Sequence, residues 1–446
     1  MLSFFAGMLP SELSHKLLAV NAAVAYKLYK AKPLVRTGWV GSIAAFLQCI
    51  VTMQLAGIYK TNVSTKYAIR EAMKESDVAP ELVQRVGDMN LMQWLGVFLP
   101  LPQPKALAMA FPGISKTHTV TFAHVGKNKT TDLLMDVYKH RDAMPNAPIL
   151  LFVHGGGWII GSRVNPPLPF VHQVATLGWV VCVIDYQLSP RVAFPEHLID
   201  SKRAIAYLRE HARTQFDANP NFIVAAGESA GGHLASLLAL TSADKSFQPG
   251  FEDVDTSVCG CIDTYGVHDF KDRNGLHFYK DKDHSFQHFV ELVVMQKKLN
   301  ESDMAFESAS PISWLGEDKT RQLVRAIPPF LVAHGTLDTV VPCDDSCLFF
   351  ERLQSYRQRT LDPLIGGVSD VFLEIPGAHH AFNYLLSPRA FAYGQAVCAF
   401  LDNLYEKTKD IPLQRSEVVD SCPAVELTVA TPASINPIAA TLSSRL

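Results

Sequence analysis

An α/β architecture is what the sequence predicts, a mostly parallel sheet with helices on both faces, and three observations predict it. Six short runs rich in apolar, β-branched and aromatic residues follow one another between residues 148 and 377: PILLFVHGG, WVVCVIDY, FIVAAGES, VCGCIDTYG, PFLVAHG and DVFLEIPG. Helix-like or irregular stretches separate them, the alternation that builds a parallel sheet covered on both faces. The run FIVAAGES passes straight into AGGHLASLLAL, a strand, tight turn and helix in immediate succession, while PILLFVHGGG ends a strand in three consecutive glycines.

The elements follow in chain order. Residues 1–60 form an N-terminal segment in which 37–59 carry no charge over 23 residues, long enough to cross a hydrocarbon core although Gln48 and Gln54 weaken the run. Lys16, Lys27, Lys30, Lys32 and Arg36 precede it against Glu12 alone, a bias for a single-pass anchor with a cytoplasmic N-terminus and the remainder in an endoplasmic-reticulum-like lumen. Lys60, Lys66, Arg70 and Lys74 follow it and make that bias slight. The alternative is a cytoplasmic protein in which 37–59 is a helix buried on the following domain. MLSFFAGML lacks the basic start and small-residue cleavage site of a signal peptide.

Residues 61–117 read as polar helical segments with a Pro-rich LPLPQPK, a helical region that contributes to a cap. The main domain spans 118–410 and opens with a strand hairpin, THTVTFAHV and LLMDVYKH. Within it, 271–304 is an insertion whose FVELVVMQKKL is amphipathic at helical spacing, either part of a cap over a site or an ordinary connecting helix. The tail 411–446 reads as a flexible extension, poor in charge and rich in Ser, Thr, Pro and Ala.

Composition excludes several classes. With 48% hydrophobic and 19% charged residues the chain is globular, not disordered throughout. Forty basic against 43 acidic residues leave a charge of -3 with no dense Lys/Arg run, so nucleic acid is not an expected partner. Eight cysteines are too few for a disulfide scaffold, and Cys259/Cys261 and Cys343/Cys347 lack the second half of a zinc-finger spacing. Cys182, Cys259 and Cys261 lie in apolar runs where a thiol acts as a small apolar side chain.

Gly227-Glu228-Ser229-Ala230-Gly231 is a G-x-S-x-G pattern in the strand-turn-helix context that a nucleophile elbow needs. The flanking glycines permit the turn that lifts the Ser229 hydroxyl above the sheet, and the helix N-terminus brings N–H dipoles to where negative charge develops. His154-Gly155-Gly156-Gly157-Trp158 leaves backbone N–H groups unobstructed, so Gly155, Gly156 and Gly157 with the Ala230 N–H are the candidate oxyanion hole. His154 reads as a brace for that loop. In the order Ser, acid, His, Asp338 follows one strand, and His379 and His380 follow the next. Position alone leaves both histidines open.

Other polar and aromatic residues carry weaker signals. Asp344 and Asp345 read as helix caps, Glu228 as a contact to a supporting group or a structural salt bridge, and His334 as a strand end without catalytic duty. Trp158, Tyr186, Tyr265 and Phe382 are candidate pocket walls or core. Asn62, Asn128 and Asn300 head N-x-S/T sequons that a lumenal location would make usable.

Together H-G-G-G-W at 154–158, D-Y-Q-L-S-P at 185–190 with Phe194-Pro195, G-E-S-A-G-G at 227–232, H-G-T-L-D-T-V-V-P at 334–342 and G-A-H-H-A-F at 377–382 resemble the hormone-sensitive-lipase-like family of α/β-hydrolases. The resemblance spans about 118–408. It implies an eight-stranded α/β-hydrolase sheet with a helical cap and a triad of Ser229, Asp338 and His380, since the family's base precedes a small residue and an aromatic, as His380-Ala381-Phe382 does. The arylacetamide deacetylase branch is similar in having an apolar segment ahead of the hydrolase domain. The family's Tyr-Arg-Leu-Ala-Pro-Glu reads Tyr186-Gln187-Leu188-Ser189-Pro190-Arg191 here, which puts an ion pair of that motif in doubt.

The expected function is hydrolysis of carboxylic esters, as a carboxylesterase or lipase, through an acyl-enzyme, on a small-molecule acyl ester or lipid, with membrane association and without metal or organic cofactor. An amidase or deacetylase on arylamides or formamides uses the same triad. A non-catalytic ligand-binding protein on this fold is the alternative from another class.

Overall fold

The computed structural model describes residues 2–30, 39–126, 128, 130–276, 285–316, 327–360 and 365–410. The tail 411–446, residues 277–284 of the insertion and the first two residues of the 37–59 run lie outside the described residues.

Among these, β1 (Ile114–Val125), β2 (Thr131–His140), β3 (Ala147–Val153), β4 (Val180–Ile184), β5 (Ala218–Glu228), β6 (Gly260–Thr264), β7 (Phe330–Gly335) and β8 (Val371–Ile375) form one sheet. Its order is β1-β2-β4-β3-β5-β6-β7-β8. The β1-β2 and β2-β4 pairings are antiparallel and the rest parallel. β3, β4, β6 and β7 are buried at every residue, as strands covered on both faces must be, and this is why they read as continuous apolar runs. β1 is the exposed edge, which suits its Lys116, His118 and Thr119. It starts at Ile114, four residues before the boundary expected at 118.

No break occurs at residue 60, because one helix, Trp39–Glu75, runs through it and Met1–Ile411 forms one compact unit. Asn62, Thr65, Ile69 and Met73 repeat at helical spacing and bury the C-terminal half of that helix against β8 and the helix Pro388–Thr408. The outer half differs. Trp39, Val40, Ile43, Phe46, Leu47, Val51 and Met53 are exposed, and the apolar window is 6% buried, so the reading of 37–59 as a buried helix is corrected for residues from 39 on.

The helix Leu2–Lys30 packs antiparallel on this outer half. Asn21 Nδ2 donates to Thr52 Oγ1 at 2.6 Å, and Gln48 Nε2 donates to Asn21 Oδ1 at 2.7 Å, so the residue that weakens the apolar run closes a helix–helix contact. Farther down, Ser11 and Glu12 meet Asn62 and are buried against Arg389 of the hydrolase-like unit. Ser11 and Glu12 thus sit beside Asn62 and Arg389, so the two N-terminal helices root on the same part of the fold. Asn62 is buried there, which closes its sequon to modification in the folded chain.

Asp345 lies in the first turn of a helix, as its position suggested, but it also reaches across the fold to His268. At the start of the helix Cys343–Thr360 its carboxylate accepts from His268 N at 2.7 Å and lies 3.0 Å from His268 Nδ1, while Asp263 Oδ2 lies 2.9 Å from His268 Nε2. Burial opposes a charge on His268, but the two carboxylates more than offset it and raise the imidazole to about 9. A folded-state value above the ordinary 6.5 means that this charge stabilises fully below pH 6.5 and ceases to do so as pH rises through about 9. His268→Gln is expected to cost about 3–5 kcal/mol at pH 6, because it leaves two buried carboxylates without their cation. The gap from wild type should narrow between pH 6.5 and 9, as urea denaturation at stepped pH will read.

Candidate active site

Ser229 sits between the end of β5 and the helix Ala230–Leu240 with φ 53° and ψ −121°, a left-handed conformation forced by the turn. Its N–H donates to Thr264 O at 2.9 Å, which pins the turn to β6. Glycine is required on both sides by close approach: a Cβ on Gly227 would stand 2.1 Å from Gly231 O, and one on Gly231 would stand 2.0 Å from Val153 O.

Three separate loops meet at this turn. His380 Nε2 lies 3.0 Å from Ser229 Oγ, and His380 Nδ1 lies 2.6 Å from Asp338 Oδ2. Asp338 Oδ1 accepts from Val340 N at 2.8 Å and Val341 N at 3.0 Å, so the carboxylate is fixed by its own loop. Burial alone would raise its pKa, yet the facing His380 and His334 imidazoles outweigh burial and hold it well below the ordinary carboxylate range. The structure thus brings Ser229, Asp338 and His380 together. His379 points away, against Gly7 of the N-terminal helix.

The Gly155–Gly157 loop lies beside the turn, where a Cβ on Gly155 would be 2.9 Å from Glu228 O. Gly156 adopts φ 122° and Gly157 φ 58°. Among the described residues none accepts from the N–H of Gly156, Gly157 or Ala230, which leaves those donors at the Ser229 side of the sheet. His154 braces the loop as expected of it: its Nδ1 lies 2.7 Å from Gly155 O and its ring stacks on Tyr186 at 4.4 Å, while burial lowers its pKa.

Supporting residues surround the triad: Glu228 takes the first of its two readings, and Tyr265 and His334 were not read as supporting from sequence. Glu228 makes no salt bridge among the described residues; its buried carboxyl accepts from Tyr265 Oη at 3.0 Å, Asn383 Nδ2 at 3.4 Å and Tyr384 Oη, and burial raises its pKa. The Tyr265 ring also packs on His380 at 4.5 Å. His334, read as a bare strand end, lies 3.3 Å from Asp338 Oδ2 through Nε2, so it borders the acid. Trp158, Tyr186 and Phe382 are buried and line no open wall: Trp158 Nε1 donates to His233 Nδ1 at 3.3 Å, and Tyr186 Oη donates to His154 O at 3.1 Å. In the departing Y-Q-L-S-P-R motif, the Gln187 N–H donates to Asp200, which pairs with Arg203.

The insertion contributes on both sides. Val290, Val294 and Met295 are buried in the core, while Phe289 comes within 3.8 Å of where a Cβ on Gly157 would be. Ile159 and Ile160, which follow the glycine loop, and Leu337, next to Asp338, are exposed.

A family model described as BD-FAE matches residues 135–353. The chain is 34% identical over 274 residues to Esterase LipQ of Mycobacterium tuberculosis, covering 61% of this chain and 59% of that protein. It is 36% identical over 275 residues to Esterase LipC of the same organism, covering 61% and 62%. Isoprenylcysteine alpha-carbonyl methylesterase ICME of Arabidopsis thaliana is 27% identical over 262 residues, covering 55% and 59%. The chain thus spans about 60% of the length of these relatives. A solved structure, a truncated form of a carbohydrate esterase from gut microbiota, superposes with a TM-score of 0.51 at 19% identity over 65% of this chain and 97% of that one, a likeness of fold.

The close approach at the turn is open to test. Gly231→Ala is expected to destabilise by about 3 kcal/mol or more, since the added methyl meets backbone that cannot yield, and the loss will appear as a lower urea midpoint.

Proposed function

We infer, from a chain that belongs to the hormone-sensitive-lipase-like esterases of the α/β-hydrolase fold, that this protein cleaves carboxylic esters at Ser229 through an acyl-enzyme. The observation that carries this reading is the unbroken line from Ser229 Oγ through His380 to Asp338. His380 takes the Ser229 proton as Oγ attacks the acyl carbon, then gives it to the departing alcohol. Asp338 stays ionised, fixes the imidazole with Nε2 toward the serine and stabilises the imidazolium that forms. The N–H groups of the Gly155–Gly157 loop and Ala230 receive the oxyanion, and a water activated by His380 releases the acid in the second half.

The acyl ester is an apolar one, because Ile159, Ile160, Leu337 and Phe289 border the approach, with the insertion serving as part of a cap. The outer helical pair is the membrane attachment. Its exposed Val20, Val24, Trp39, Ile43, Phe46, Leu47 and Val51 present the kind of continuous apolar surface that soluble proteins bury. The stretch Trp39–Tyr59 is about 30 Å long, enough to reach through a hydrocarbon core.

Ser229→Ala should lower kcat for p-nitrophenyl butyrate at least about 10⁴-fold while leaving the fold intact, measured beside wild type, and undiminished turnover would overturn the assignment. A fluorophosphonate should label the wild-type chain at Ser229 and not the variant. For attachment, the intact protein is expected to float with phosphatidylcholine vesicles and to stay with them through alkaline carbonate. Replacing Phe46, Leu47 and Val51 by Ser should leave it in the soluble fraction.

A further inference from the structure

We propose that the N-terminal helix is a positioning element for His380, acting through a buried cluster centred on Glu12 and Arg389; the proposal rests on the esterase reading above. His380 lies on the connection between β8 and the helix Pro388–Thr408, and the cluster grips that connection at both ends. At its start, three and four residues before His380, Ser11 Oγ donates to Gly377 O at 3.2 Å and Arg389 Nη2 donates to Pro376 O at 3.1 Å. At its finish, Ser387 Oγ donates to Glu12 Oε2 at 2.7 Å, and the Arg389 N–H, an orphan donor of the helix's first turn, donates to Asn62 Oδ1 at 2.9 Å.

Arg389 Nη1 closes the cluster by donating to Ser11 Oγ at 2.6 Å and to Glu12 Oε1. Glu12, Asn62, Ser387 and Arg389 are all nearly or fully buried. Within this cluster the carboxylate that answers the Arg389 charge comes from the N-terminal helix, more than 370 residues away in sequence. Buried charge makes such a contact all or nothing: with Glu12 in place both ends of the His380 connection are held, and without it a guanidinium is left uncompensated. The acid loop is tied to the same connection, since Gly377 N donates to Thr336 Oγ1 at 2.8 Å and Leu337 N donates to Ala378 O at 2.9 Å. A shift of the connection therefore changes the His380 position relative to both Ser229 and Asp338.

The test compares full-length Glu12→Gln and Ser11→Ala with wild type, with Ser229→Ala as blank and Asp370→Asn as matched control. Asp370 pairs with buried Arg357 at the opposite end of β8, so its variant removes an equivalent ion pair without touching the His380 connection. For each chain kcat and KM on p-nitrophenyl butyrate, the pH profile of kcat/KM and the rate of fluorophosphonate labelling are measured. Glu12→Gln is expected to lose kcat about 10- to 100-fold with KM within about two-fold, to label more slowly in proportion and to shift the acidic limb of the profile. Ser11→Ala, which keeps the charge pair and so guards against a Glu12 variant that does not fold, should lose kcat about three- to ten-fold. Asp370→Asn should keep kcat within about two-fold despite a lower melting temperature.

The proposal is overturned if the folded Glu12 and Ser11 variants keep wild-type kcat and labelling, or if Asp370→Asn loses kcat as much as they do. A wild-type chain that neither hydrolyses the ester nor labels at Ser229 overturns the esterase reading and this one together, whereas an active wild type with unaffected variants overturns this one alone.

Discussion

Ser229 is held at φ 53° and ψ −121°, a backbone state that costs an L-residue about 1–3 kcal/mol and persists only where its surroundings over-determine it. Those surroundings account for much of the molecule. The 2.0 Å approach of a Gly231 Cβ position to Val153 O is possible because β3 is the neighbour of β5, and the Ser229 N–H reaches Thr264 O because β6 is the neighbour on the other side. The helix that follows the turn, Ala230–Leu240, is buried at every residue, so it cannot swing out to relieve the strain. The Gly155–Gly157 loop leans on the same turn. Sheet order, glycine positions and helix burial thus converge on this one turn.

Three buried carboxyl groups near that turn show how partners divide the roles that burial alone would make equal. Asp338 and Asp263 face imidazoles and are held below the ordinary carboxylate range, whereas Glu228 faces hydroxyls and an amide and is pushed upward. Glu228 adjoins Ser229 in sequence, yet His380 turns its Nδ1 to Asp338. Geometry gives that role to Asp338, whose Oδ2 stands 2.6 Å from His380 Nδ1. Tyr265 links the two regions by bonding Glu228 through its hydroxyl while its ring covers His380.

What was legible in the sequence was what the backbone imposes locally. The elbow, the triple glycine and the buried strands each need particular residues within a few positions of one another, so Ser229, Gly155–Gly157 and the parallel sheet stand out. His380 against His379 was a different matter, because adjacent residues share every local signal; a family likeness separated them, and in the structure one ring faces Ser229 while the other meets Gly7. Asp345 read as a helix-start carboxylate because of where it sits, and its contact with His268, 77 residues away, left no local signal. Glu12, Asn62 and Arg389 carried no signal of belonging together, since the members of a buried cluster read as separate polar residues until the chain is folded.

The N-terminal helices show what hydropathy alone does not resolve in that region. Averaged over 37–59 the run looks uniform, but the helix carries two surfaces in series: exposed apolar side chains from Trp39 to Met53, then a polar root at Asn62 and Thr65. Gln48 looks like a flaw in an apolar segment only while the partner helix is ignored; with Thr52 it bonds Asn21 of that helix. The Leu2–Lys30 helix repeats the arrangement, with buried Ser11 and Glu12 at its root and exposed Val20 and Val24 beyond. The exposed apolar surface and the buried cluster at the His380 connection thus lie in series on the same two helices.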